Sequence, residues 1–302
     1  MSSTHQPVRR VFEAMGGACE LVAQAHPGGG PLGPALDAAE AEVRRIEAKY
    51  SRYRPDSVVS AINAAAGGVP ISVDHETAQL LDFAEALFRS SSGRFDITSG
   101  VLRRAWRFDQ CRLPESRQVA ELLELVGWHS VERELGMIRL PRRGMEIDFG
   151  GFGKEYAADR AGMVLTAQKI QHGYVNLGGD FRVVGPKLDG SPWSIGIRHP
   201  RQYDRLLAVI PMHSGGLATS GDYERYMDVA GRRYCHVLRP DTGWPVSHWQ
   251  SVTVVAPLAV TAGSLSTQAM LLEDEGLGFL RGSGMIFLCV DHTGAAHTHQ
   301  DS

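Results

Sequence analysis

The chain has 302 residues, of which 43% are hydrophobic and 22% are charged, and its formal net charge is −3 at pH 7. This composition is typical of a globular protein with enough apolar material for one large core or two closely packed lobes. The balanced charge excludes a generally basic surface for nucleic acid or an anionic membrane, so any phosphate site must be local.

The cysteines and the N-terminus indicate the compartment. Cys19, Cys111, Cys235 and Cys289 show no CxxC spacing, so they signal neither a zinc knuckle nor a redox pair. Free thiols in a reducing compartment are the favoured interpretation. The polar N-terminus is not followed by an apolar run of signal-peptide or membrane-span length. We therefore expect a cytoplasmic protein without membrane insertion.

We expect a flexible N-terminus over residues 1–12, and because no linker clearly divides the rest of the chain, a single domain over 13–302. Asp56 or Ser57 is the expected N-cap of a short helix, and Asp74 precedes a longer one. The predicted helices cover 35–50, 55–62, 74–90, 116–126, 153–167, 262–272 and 274–280.

Strand patterns dominate after residue 137. The predicted strands cover 137–140, 145–149, 174–177, 181–184, 193–197, 206–210, 234–238, 251–255 and 285–290. Helices come early and strands cluster later, without regular βαβ alternation. This order predicts an α+β fold with a largely antiparallel sheet.

A glycine-rich turn between a predicted strand and a predicted helix is the densest cluster of special residues. It reads Asp148-Phe149-Gly150-Gly151-Phe152-Gly153-Lys154. Such a turn exposes main-chain N–H groups and the positive end of a helix to an anion, and Lys154 adds a charged donor. Its glycine spacing matches neither the dinucleotide fingerprint nor the Walker A loop. Taken alone, the segment indicates a phosphate site and a plain tight turn equally.

Three further segments carry polar groups. Residues 176–180, with paired glycines, are typical of a hairpin turn. The hydroxyl-rich loop 218–226 lacks a GxSxG elbow around Ser220, so we expect it to supply hydrogen bonds rather than a nucleophile. His236 ends a strand-like run before a rigid turn, a position suited to proton transfer at a cleft. A half-buried histidine bonded to the backbone is the alternative.

Taken together and in this order, these segments resemble the ApbE-type FAD:protein FMN transferases. The resemblance covers residues 15–272, and so many ordered matches are hard to produce by chance. The matching segments are Met15-Gly16-Gly17, Ser51-Arg52-Tyr53, Pro55-Asp56-Ser57, Asn63, 95–100, 148–159, 176–180, 218–223, 236–245, 251–254 and 262–267.

The resemblance implies a bilobal α+β fold with FAD in the cleft. It also implies an enzyme that splits FAD with the help of Mg²⁺, attaches FMN to a Thr or Ser hydroxyl of a partner flavoprotein and releases AMP. His236 takes the position of the base that deprotonates this hydroxyl, and Tyr53 flanks the flavin. The other positions that the resemblance assigns to the cofactor are Met15, Arg94, Phe95, Asp96, Asp148, Lys154 and Val237.

The chain departs from the family pattern at the metal-binding segment. The family usually carries Ala-Asp-Ala-Leu-Ser/Ala-Thr, whereas this chain has Gly263 at the position of the aspartate. The metal ligands that the resemblance leaves are the Gly151 carbonyl and the hydroxyls of Ser266 and Thr267. Neutral oxygens alone make a weak magnesium site.

Two further departures concern charge. Glu155 stands where a glycine is common, and Arg239 and Asp241 exchange the acidic and basic positions of the family pattern. Three outcomes follow: the FAD phosphates and water hold Mg²⁺ with less protein help, Arg239 or Lys154 replaces the ion as a fixed charge, or FAD binds without transfer.

We expect an FMN transferase, and two alternatives stay open. One is a FAD-binding carrier or scaffold without transferase activity, and the other is a FAD pyrophosphatase that uses water as the acceptor. Gly263 favours the carrier, whereas His236 and the hydroxyl-rich loop favour the transferase.

Overall fold

The computed structural model describes residues 6–26 and 28–299. Its helices are α1 (Leu32–Tyr50), α2 (Val58–Ala64), α3 (His75–Ser90), α4 (Ser116–Leu123), α5 (Gly153–Ala167), α6 (Ala259–Leu271) and α7 (Gly276–Ser283). Short 3-10 helices span Ile97–Arg104, Trp128–Ser130 and Glu273–Glu275.

The strands follow in chain order. They are β1 (Val8–Ala14), β2 (Gly17–Ala23), β3 (Ile71–Ser72), β4 (Glu132–Glu134), β5 (Met137–Arg139), β6 (Gly173–Leu177), β7 (Asp180–Gly185), β8 (Trp193–Arg198), β9 (Leu206–Met212), β10 (Gly215–Gly221), β11 (Tyr226–Val229), β12 (Arg232–Cys235), β13 (Trp249–Ala256), β14 (Ile286–Asp291) and β15 (Ala296–Thr298).

The main sheet has the strand order β1-β2-β6-β7-β10-β13-β14-β15, and each neighbouring pair is antiparallel. Smaller antiparallel groups are β3-β5-β4, β8-β9 and β11-β12. The predicted α+β class with a largely antiparallel sheet is therefore confirmed.

Helices α1, α5 and α6 pack on one face of the main sheet, and the β8–β9 hairpin covers the other. Alternation along the strands produces this division, because successive side chains of a strand point to opposite faces. Leu21 of β2 lies in the core beneath the helices, whereas its neighbour Val22 packs with Trp193 of the hairpin.

The starts of the helices follow their sequence signals. The Ser57 side chain accepts a hydrogen bond from the main-chain N–H of Ser60, and Asp74 accepts one from Thr77. These are the N-cap bonds that satisfy donors left free in the first helical turn. Helix α5 begins at Gly153, directly after the glycine-rich turn, as predicted. Among the described helices, none has both the length and the apolar character that crossing a bilayer requires.

The N-terminus differs from its prediction. Residues 1–5 lie outside the described part of the chain, but β1 begins at Val8, inside the segment expected to be flexible. Phe12 is buried, while Arg9 and Arg10 form ion pairs with Glu20 and Asp37. Arginines on this edge strand mask the apolar alternation that otherwise signals a strand.

Two other segments differ in secondary structure. The predicted strand 145–149 forms no ladder, because the main chain of Ile147 instead makes two hydrogen bonds with the Asn63 side chain. The predicted loop 218–226 begins as β10, an interior strand. Gly216 permits this packing, since a Cβ there would lie 2.1 Å from the nitrogen of Ala259 at the start of α6.

Candidate active site

The glycine-rich turn is anchored by aromatic side chains and stays open on its polar side. Phe149 and Phe152 are buried, and their rings pack 5.2 Å apart. Gly151 has no room for a side chain, because a Cβ would lie 2.8 Å from the Phe95 ring. Asp148 accepts a hydrogen bond from the Gly150 N–H and forms an ion pair with Arg52. The aromatic anchors therefore fix the turn directly before the first turn of α5.

Tyr53 offers an open aromatic surface beside this turn. Its exposed fraction is 71%, which is unusual for a large aromatic residue. Arg52 lies over the ring and donates to its hydroxyl at 2.8 Å, and the charges of Arg52 and Arg225 lower the pKa of Tyr53. The Arg225 guanidinium lies 3.6 Å from where a Cβ of Gly16 would stand, next to Met15. Gly16 and Tyr53 thus share Arg225 as a neighbour.

His236 follows β12 and is held against the same Arg225. Its main-chain N–H donates to the Arg225 carbonyl, and its ring Nδ1 lies 3.3 Å from that oxygen. The imidazole is exposed, yet the protein around it and the positive charges of Arg225 and Lys154 lower the pKa of His236 to about 4. A histidine with so low a pKa is neutral at pH 7 and can accept a proton.

Lys154, Asp180 and Glu155 form a group of charges behind the turn. Lys154 pairs with Asp180 at 2.7 Å. Burial opposes the charge of Lys154, but Asp180 and Glu155 outweigh it and raise the lysine pKa above its ordinary value. Burial raises the pKa of Asp180 despite the lysine, and burial together with the charge of Asp180 raises that of Glu155. One ammonium therefore faces two buried carboxylates.

The Glu155 side chain reaches from α5 to α6 and fills the space beside Gly263. A Cβ on Gly263 would lie 2.4 Å from Glu155 Oε1 and 2.6 Å from its Cδ and Cγ. The two departures from the family pattern, an acid gained at 155 and an acid lost at 263, thus meet in one place. Apart from these two departures, nothing in the sequence indicates that residues 155 and 263 are in contact.

Three hydroxyls link β10 to α6. Ser220 Oγ lies 2.8 Å from Ser266 Oγ and 3.0 Å from Thr267 Oγ1. Ser266 also donates to the carbonyl of Gly263 at 3.0 Å. Thr219, next to Ser220, donates its main-chain N–H to Asp180 at 3.3 Å. Thr219 and Ser220, adjacent on β10, therefore link Asp180 to the hydroxyls of α6.

Arg94, which the resemblance assigns to the cofactor, forms an ion pair with Asp241. Asp241 accepts hydrogen bonds from Arg94 and from Arg239, each at 2.7 Å, so the exchanged acidic and basic positions form one ion-pair group. Arg239 also lies 3.7 Å from Glu273. This pairing leaves Arg239 little charge to offer a phosphate in place of a metal ion.

Phe95, Asp96 and Val237 are engaged within the fold. Phe95 is buried against Phe152, and both carboxylate oxygens of Asp96 accept hydrogen bonds, one from Thr98 and one from the N–H of Trp128. Val237 packs against the core. Among the described residues, no three or more His, Cys, Asp or Glu side chains converge in an arrangement that could hold a metal ion.

Of the predicted residues, Tyr53 and His236 both lie near Arg225. Lys154 and its carboxylate partners lie behind the turn, and Ser266 and Thr267 lie beyond them on α6. Gly151 lies in the turn, against Phe95. Arg225 and Asp180 were not predicted as site residues, although Asp180 lies in the matching segment 176–180 and Arg225 in the hydroxyl-rich loop 218–226.

Comparisons with known proteins agree with this architecture. A match to the ApbE family spans residues 15–287. The chain is 31% identical over 251 residues to the FAD:protein FMN transferase of Haemophilus influenzae, covering 79% of this chain and 72% of that protein. It is 30% identical over 260 residues to the protein of the same name from Treponema pallidum, covering 80% and 72%.

Solved structures agree as well. The ApbE protein of Thermotoga maritima shares 32% identity at a TM-score of 0.89, covering 98% of this chain and 97% of that one. The flavinyl transferase ApbE of Pseudomonas stutzeri shares 27% identity at a TM-score of 0.85, covering 98% and 95%. The architecture is that of the ApbE flavin transferases. The chain belongs to the ApbE family.

Proposed function

We propose that this protein transfers the FMN part of FAD to a Thr or Ser hydroxyl of a partner flavoprotein and releases AMP. The observation that carries the proposal is the exposed imidazole of His236, whose Nδ1 lies 3.3 Å from the carbonyl oxygen of Arg225, a residue whose charge also acts on the exposed Tyr53. The relatives named FAD:protein FMN transferase support the same activity.

The flavin ring stacks on Tyr53, whose hydroxyl accepts a hydrogen bond from Arg52. The pyrophosphate meets the glycine-rich turn at the start of α5, where main-chain N–H groups and the helix dipole favour negative charge. Met15 and Arg94 line the flavin cleft, and Asp148 and Lys154 contact the cofactor around the turn. Phe95 and Asp96 shape the wall behind it.

The reaction needs a base because a hydroxyl is a weak nucleophile. His236 takes the proton of the acceptor hydroxyl while its oxygen bonds to the phosphorus of the FMN half. The bond from that phosphorus to the bridging oxygen breaks, and AMP leaves with the electron pair. A Mg²⁺ ion supplies charge neutralisation of the pyrophosphate when bound. The Gly151 carbonyl and the hydroxyls of Ser266 and Thr267 are neutral groups that would help to hold it.

We also place the protein in the cytoplasm. All four cysteines lie within the described residues and are unpaired, which supports a reducing compartment. The acceptor then presents its hydroxyl on the cytoplasmic side or is loaded before export.

The test is incubation of the purified protein with FAD, Mg²⁺ and a candidate acceptor domain, followed by mass spectrometry of the acceptor and chromatography of nucleotides. Covalent FMN on the acceptor together with released AMP supports the proposal. An acceptor with its target Thr changed to Val serves as the control. AMP with free FMN would indicate a FAD pyrophosphatase instead, and unchanged FAD would leave only binding.

A further inference from the structure

We infer that Glu155 supplies the anionic ligand for a divalent cation in this site, entering from α5 instead of from residue 263 on α6. The inference rests on the proposed function, since it assigns the ion that neutralises the pyrophosphate. It concerns a residue that departs from the family pattern, so the position of the carboxylate is a property of this chain.

The first argument is the space that the side chain fills. The Glu155 carboxylate lies where a side chain on Gly263 would begin, 2.4 Å from an ideal Cβ at that position. An acid at position 155 and one at 263 therefore compete for one volume between α5 and α6. The glycine at 263 is the partner that makes room for the glutamate.

The second argument is the unpaired oxygen. Glu155 is only 7% exposed, and no described residue donates a hydrogen bond to its Oε2. A buried carboxylate without partners costs several kcal/mol if it is ionised. Such an oxygen therefore calls for a proton or a cation. Asp159, one helical turn further along α5, shows the contrast, because its two oxygens accept hydrogen bonds from Ala259 and Val260.

The third argument is the local charge. Lys154 is already paired with Asp180, so the second carboxylate, Glu155, lacks a contacting cation among the charges that act on it. A hard divalent ion such as Mg²⁺ or Mn²⁺ prefers oxygen ligands, and ligand charge sets its affinity. The Ser266 hydroxyl, bonded to the Gly263 carbonyl, is a further oxygen, and it lies on α6. A divalent ion here supplies the partner that the Oε2 of Glu155 lacks.

The experiment measures Mn²⁺ binding by electron paramagnetic resonance, with Mg²⁺ as competitor, in the protein alone and again with saturating FAD. Glu155→Gln keeps the shape of the side chain and removes its charge. We expect Mn²⁺ affinity to fall about tenfold or more, as expected for the loss of a metal ligand. Glu155→Gly should have the same effect, and the double variant Glu155→Gly/Gly263→Asp should recover affinity by moving the carboxylate to α6.

Controls separate a ligand from a structural acid. Asp159→Asn changes an equally buried carboxylate of α5 whose oxygens are already bonded, and it should leave Mn²⁺ affinity within about twofold of the wild type. Gly263→Asp alone places two carboxylates in one volume and should lower the thermal unfolding temperature. Thermal unfolding of every variant verifies that affinities are compared among folded proteins.

Wild-type affinity in Glu155→Gln, with and without FAD, would overturn the inference and assign a proton to Glu155. So would failure of the double variant to recover binding while it remains folded. FMN transfer is measured in parallel. Transfer with Mn²⁺ affinity independent of Glu155 refutes only the ligand assignment, whereas Glu155-dependent binding without transfer refutes only the proposed activity.

Discussion

The main-chain N–H and the ring Nδ1 of His236 face one carbonyl oxygen, that of Arg225, at 2.9 and 3.3 Å. A carbonyl only accepts hydrogen bonds, so the neutral ring carries its proton on Nδ1 and leaves Nε2 as the acceptor. The contact thus selects the tautomer that a general base needs.

His236→Ala should therefore abolish transfer and leave FAD binding largely intact. Loss of a general base lowers a rate by about 10²- to 10⁴-fold. The measurement is single-turnover formation of the flavin–acceptor bond, with FAD affinity determined separately by fluorescence titration. His213→Ala changes an exposed histidine on the β9–β10 turn and serves as the matched control. A large loss of FAD affinity in His236→Ala would assign this residue a binding role.

The pH dependence should differ between the free and the FAD-bound protein. The neutral form of His236 is the active base, so activity falls as pH drops through its pKa, which is about 4 in the free protein. The negative pyrophosphate raises the pKa once FAD is bound. The profile of kcat/KM should thus be nearly flat down to about pH 5.5. As the pH is lowered, kcat should begin to fall at a higher pH than kcat/KM does. A histidine with its ordinary pKa of about 6.5 would instead lose about tenfold in kcat/KM at about pH 5.5.

Tyr53→Ala should weaken FAD binding without slowing transfer at saturation. Stacking of a base on an aromatic ring contributes about 1–3 kcal/mol, which predicts an increase in Kd of about 5- to 150-fold. Tyr53→Phe keeps the ring and should stay close to the wild type. Tyr203→Ala removes a similarly exposed tyrosine from the β8–β9 turn and should have no effect. Equal affinities for Tyr53→Ala and Tyr203→Ala would contradict the stacking role.

Much of the fold was predictable because its signals are local. Helix α5 begins and ends where its apolar spacing and glycine-rich turn predict, and Ser57 and Asp74 cap the helices that they precede. Strand β10 was not predictable, since its Gly-Gly-Leu-Ala-Thr-Ser-Gly sequence has little intrinsic preference for a strand. It is a strand because small residues let α6 approach the sheet.

The candidate site was predictable as a set of positions but not as a set of partners. The resemblance indicates His236 and Tyr53, yet Arg225, which joins them, is one of many arginines in the sequence. Likewise, Glu155 and Gly263 are each visible as a departure from the family pattern. Only the packing of α5 against α6 places them in contact.

Asp96→Ala should cost more in stability than in FAD affinity. One Asp96 oxygen accepts hydrogen bonds from the N–H and hydroxyl of Thr98, and the other accepts one from the N–H of Trp128. Loss of the cap and of these bonds should lower the free energy of unfolding by about 2–4 kcal/mol. Urea unfolding measures the change, and Asp109→Ala, at an exposed pair with Arg107, is the control. A change in FAD affinity without a change in stability would place Asp96 in direct contact with the cofactor.

Arg239→Gln should change FAD affinity by less than about twofold, because the charge of Arg239 is already opposed by Asp241 and Glu273. If Arg239 instead replaced a metal ion at the pyrophosphate, its loss would weaken binding strongly and the dependence of Kd on salt would become shallower. Titration of FAD at two salt concentrations separates these cases. Asp241→Asn provides the converse, since it frees both Arg94 and Arg239 from their shared carboxylate and should strengthen the binding of an anionic ligand at low salt.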